Sequence, residues 1–85
     1  MDENEIARRA SSLPRRFADR IPARTREIVE LMEGGGEYGE LTIELAASLA
    51  ANHVPVTAAE RDELLALLEA MHMPTDPVAK LNVAG

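Results

Sequence analysis

The sequence contains no cysteine, so no disulfide can brace the fold and no thiolate can hold a zinc ion. Aromatic residues are limited to Phe17 and Tyr38, and β-branched residues are scarce. Strands are therefore poorly supplied, whereas Ala and Leu in quantity favour helix. No apolar run approaches the roughly 20 residues that span a bilayer. No apolar stretch follows the N-terminal charges, which argues against a secretory leader. Asp2, Glu3, Glu5 and Asp19 argue against a mitochondrial one, since such leaders are poor in acids. The expectation is a cytoplasmic protein. Its 85 residues make one domain, near the lower limit for a self-supporting core.

What the chain does have is charge, unevenly placed. Residues 1–26 carry Arg8, Arg9, Arg15, Arg16, Arg20, Arg24 and Arg26 against four acids, a balance of +3. Residues 27–85 carry Arg61 and Lys80 against eleven acids, a balance of −9. An acidic body repels nucleic acid and attracts a basic protein. The same excess also serves solubility alone.

Apolar spacing predicts an all-α fold: a small antiparallel bundle of three main helices, residues 22–85, behind an Arg-rich arm, residues 1–21. In the arm, Asp2 and Glu5 have capping-box spacing, and Ile6, Ala10 and Leu13 mark a helix over about 3–12 that Pro14 interrupts. Phe17 and Ile21 then share a side, with Arg8, Arg9, Arg15, Arg16 and Arg20 facing outward. Pro22 suits the first position of the next helix, whose stripe is Thr25, Ile28, Val29 and Met32. Gly34, Gly35 and Gly36 stop that helix.

Residues 38–52 form the most apolar helix, with Leu41, Ile43, Leu45, Ala46, Ala47, Leu49 and Ala50 around most of its circumference. Such a helix belongs at the centre of the fold. Val54-Pro55-Val56 is extended, because the residue before a proline avoids the helical region. Thr57 to Glu60 is a capping box that opens a Leu-rich helix ended by Pro74. A short turn starts at Asp76-Pro77.

Candidates for chemistry are few. His53 and His72 have no second ligand one turn away, and both lie near helix C-termini, where a histidine can bond terminal carbonyls. No acids form an evident catalytic pair, and no serine lies in a nucleophile elbow. The three glycines follow a helix rather than a strand and lack the lysine of a phosphate loop. An acyl carrier needs a serine where Gly39-Glu40-Leu41 stands. A helix-turn-helix would present Glu60, Asp62 and Glu63 to DNA, the wrong sign for the major groove. No enzyme, cofactor or metal is expected.

Residues 27–74 resemble the MafI-type immunity proteins of bacterial polymorphic toxin systems. The likeness is carried by Leu31-Met32-Glu33, Gly36-Glu37-Tyr38, Ile43-Glu44-Leu45-Ala46, Val54-Pro55-Val56-Thr57-Ala58-Ala59-Glu60, and the Leu-rich run from Leu64 to Met71. It covers a little over half the chain. The Arg-rich start departs from the pattern, and the resemblance carries over no binding residues. It implies an antidote that binds a toxin made by its own cell.

A basic toxin domain would be met by an acidic surface, for which Glu27, Glu30, Glu33, Glu37, Glu40 and Glu44 are candidates, with Tyr38 as an anchor. These residues equally suit a solvated acidic face. The alternative functions are a small helical adaptor or regulatory subunit and, further off, DNA binding through the arm. A homodimer would complete so small a core with a second copy.

Overall fold

The computed structural model describes residues 1–84. The chain is mostly helical: α1 (Glu3–Arg16), a 3-10 turn (Ala18–Arg20), α2 (Ala23–Gly34), α3 (Tyr38–Ala51), α4 (Ala58–Ala70) and α5 (Asp76–Ala79). Two short strands, β1 (Pro55–Val56) and β2 (Asn82–Val83), pair in parallel, so the extended Val54-Pro55-Val56 segment has a backbone partner as well as a proline constraint. The ladder is continued by the Ala84 N–H, which donates to the Val56 carbonyl at 2.8 Å.

Helix α1 runs through Pro14 rather than stopping before it. The expected break fails for a positional reason. Pro14 lies in the last turn, where the missing N–H forfeits one bond, and its ring is buried in the core. Only half of the expected box at the start of α1 forms. The Asp2 carboxylate accepts the Glu5 N–H at 2.7 Å, while the Glu5 carboxylate turns to Arg9 at 2.6 Å. By contrast, the Thr57–Glu60 box of α4 is complete in both directions.

The core places residues from both ends of the chain together. Leu13, Phe17 and Ile21 join Val29, Leu41, Leu45, Leu49, Val56, Leu64, Leu67, Leu68 and Val78 in one buried cluster. Full burial of each leucine contributes roughly 1.5–3 kcal/mol. Helix α3 contacts α1, α2, α4 and α5, as expected of the most apolar helix. Thr42, buried in its middle, donates its hydroxyl to the Tyr38 carbonyl at 2.8 Å. Thr25 of α2 and Ser48 of α3 share a hydroxyl–hydroxyl bond of 3.1 Å across the helix pair.

Three helices end by the same device. At the end of α2, Gly36 has φ +71°, its N–H donates to Glu33, and the next N–H, of Glu37, donates to Met32. At the end of α3, His53 has φ +53°, and the pattern repeats from His53 to Ala50 and from Val54 to Leu49. At the end of α4, His72 has φ +56°, with bonds from His72 to Glu69 and from Met73 to Leu68. Each is a Schellman cap with its left-handed residue at the turn. Helix α4 therefore ends at Ala70, before Pro74 can act. The two histidines cap through their backbone N–H groups, not through the imidazole bonds expected from their position.

Candidate functional site

Part of the arginine cluster is paired within the chain, at its surface. Arg16 and Arg20 do not simply face outward; each makes a two-pronged bond to a glutamate of α4. Arg16 meets Glu63 at 2.9 and 2.7 Å, and Arg20 meets Glu60 at 2.9 and 2.6 Å. The Arg20 guanidinium also lies over the Phe17 ring, 4.3 Å from its centroid, where cation–π attraction adds to the pair. The Arg20 bonds hold the Glu60 carboxyl down to about 2, and both guanidinium groups are held more firmly protonated. These residues tie the N-terminal segment to α4.

The candidate acids divide into three settings. Glu27 and Glu30 are exposed on α2, without an ion pair among the described residues. Glu33 sits nearer α1, 3.6 Å from Arg15, so it does not share a free face with them. Glu37 is exposed in the α2–α3 connection. Glu40 is exposed and Glu44 half-buried on the outer side of α3. Tyr38, the first residue of α3, is half-buried rather than projecting.

Leu31 stands apart from all of these. It is 77% exposed on α2, and with Glu27 and Glu30 it lines a surface concavity of about 380 Å³. The signal was present in the sequence: Leu31 falls off the Thr25–Ile28–Val29–Met32 stripe, so burying that stripe turns Leu31 to solvent. An apolar side chain flanked by unpaired carboxylates can take an apolar group that carries cations beside it.

A second concavity, of about 450 Å³, lies between α3 and α5 and is lined by Ala47, Ala50, Ala51, His53, Asp76, Pro77 and Lys80. A third, of about 280 Å³, is formed by Arg61, Leu65, Thr75, Val78, Ala79, Leu81 and Val83. Among the described residues, no three metal-ligating side chains come together, and no helix is long and apolar enough to cross a membrane. No family model, curated protein or solved structure matches the chain.

Proposed function

We propose that this protein is a non-catalytic, cytoplasmic binding protein that neutralises a basic toxin domain by one-to-one occlusion. In this reading its helices act as an antiparallel bundle, a rigid support for the α2 face. The observation that carries it is Leu31, exposed between the unpaired Glu27 and Glu30. Binding surfaces concentrate their energy in an apolar centre, while surrounding charge speeds the encounter and selects the partner. The resemblance of residues 27–74 to MafI-type immunity proteins points the same way. The internal pairing of Arg16 and Arg20 leaves fewer cations for phosphate, which weighs against nucleic acid as the partner.

The test is rescue of growth. The product of the adjacent gene is expressed alone, then with this protein. Toxicity should be relieved by the wild-type protein and only poorly by Leu31→Asp. A harmless neighbour, or a toxic one that this protein does not relieve, would instead favour a helical adaptor whose partner is encoded elsewhere.

A further inference from the structure

One turn of α2 places two carboxylates beside an apolar side chain. Glu27 and Leu31 are four residues apart, so they lie about 40° from each other around the helix and about 6 Å apart along it. Glu30, three residues from Glu27, stands to one side of that pair. Helical side chains lean toward the N-terminus, which brings Leu31 back toward Glu27. The three side chains thus wall one concavity of about 380 Å³. Leu31 and Met1 are the large apolar side chains left exposed among the described residues, and Leu31 is the more exposed of the two.

The surroundings favour a cation. Carboxylates at i and i+3 repel each other, and neither of these has an ion pair among the described residues. The last turn of α2 carries no basic residue to offset the negative end of the helix dipole. The nearest cations on the helix are Arg24 and Arg26, and neither lines the concavity. Arg26 donates to the Ala18 carbonyl at 3.3 Å. Arg24 is exposed one turn before Glu27, so an incoming cation competes with it. On the C-terminal side Gly34 leaves the approach open, since even an added Cβ there would meet nothing within 4 Å.

We infer that this concavity cradles one arginine side chain of a partner protein. The methylene stem lies along Leu31, and the guanidinium spans the carboxylates of Glu27 and Glu30. Two carboxylates one turn apart suit a planar fork with several donors. A lysine ammonium is a point charge, more strongly hydrated, and meets one carboxylate at a time. A single exposed contact of this kind is weak, so the remaining affinity for a protein comes from the surface around it. The inference deepens the proposed function and rests on it only for the source of the arginine, which is the toxin domain.

Amide NMR of the isotope-labelled full chain, titrated with acetyl-arginine-amide at constant low ionic strength, tests the cradle without any toxin. We expect shifts confined to α2 that saturate in the millimolar range, and at least threefold weaker binding of acetyl-lysine-amide. Glu27→Gln with Glu30→Gln should abolish saturation, and Leu31→Ser should weaken binding severalfold. All three side chains are exposed, so the circular dichroism spectrum should stay helical. Arg24→Gln should tighten binding by removing the competitor. Shifts spread equally over Glu40, Glu44 and Glu69, equal binding of the lysine compound, or saturation that survives the double substitution would overturn the inference. Saturable arginine binding without any toxin complex would uphold the cradle and sink the proposed function; a toxin complex without arginine binding would do the reverse.

Discussion

The Glu60 carboxylate performs two tasks at once: it accepts both arms of Arg20, at 2.9 and 2.6 Å, and it accepts the Thr57 N–H at 2.9 Å to close the α4 capping box. One side chain thus starts a helix and ties it to the turn after α1. Glu60→Gln keeps a partial cap but loses the ion pair. Its cost should be about 1–2 kcal/mol, read from the urea midpoint. Arg20→Ala should cost a similar amount, and the double mutant less than the sum of the two, because they share one interaction.

The same pair sets an acid limit. The Glu60 carboxyl is lowered from its ordinary value of 4.5 to about 2 in the folded protein. A lowered carboxyl contributes stability that is present above the unfolded value and is lost as pH falls through the folded one. Stability should therefore fall between about pH 4.5 and 2, and Glu60→Gln should flatten part of that fall. An equal slope in both proteins across that window would contradict the assignment.

His53 and His72 occupy left-handed positions that favour glycine. That conformation costs a residue with a Cβ roughly 1–2 kcal/mol, part of which glycine returns as lost chain entropy. His53→Gly and His72→Gly should each stabilise by about 0.5–1 kcal/mol, raising the melting temperature by a few degrees. Gly36→Ala should do the opposite, by about 1 kcal/mol, since Gly36 already fills such a position at φ +71°.

Gly34 ends α2 in ordinary helical backbone, and a methyl group there would meet nothing within 4 Å. Gly34→Ala should stabilise by about 0.5–1 kcal/mol. At Gly39 the outcome differs: an added Cβ would lie 3.0–3.1 Å from the Met73 side chain. The helical gain of Gly39→Ala should be largely cancelled there, so the two alanine variants separate in a thermal melt.

Local signals in the sequence located most of the helices. The Thr57–Glu60 box, the glycine stop after α2 and the apolar circumference of α3 are written in neighbouring residues, and neighbours decide them. What stayed hidden depends on distant ones. Arg16 and Arg20 resembled an outward basic cluster, because their partners lie 47 and 40 residues away. The β1–β2 pairing joins Pro55 to Asn82, which no short window contains. His53 and His72 gave little sign of their backbone conformation, because glycine is the residue that most often marks such a turn. Among the candidate acids, the periodicity of α2 separated Glu27 and Glu30 from its buried stripe. It could not foresee that Arg15 of another helix would reach Glu33. Leu31 was legible, but only by asking which apolar residue the stripe leaves out.

The most direct measurement is gel filtration of this protein co-expressed with the product of the adjacent gene. A complex with equal amounts of the two chains should survive the column, and Leu31→Asp with Glu27→Lys and Glu30→Lys should disrupt it while this chain stays folded. If the two proteins elute separately, or the complex is indifferent to those three substitutions, then the α2 face does not bind a toxin.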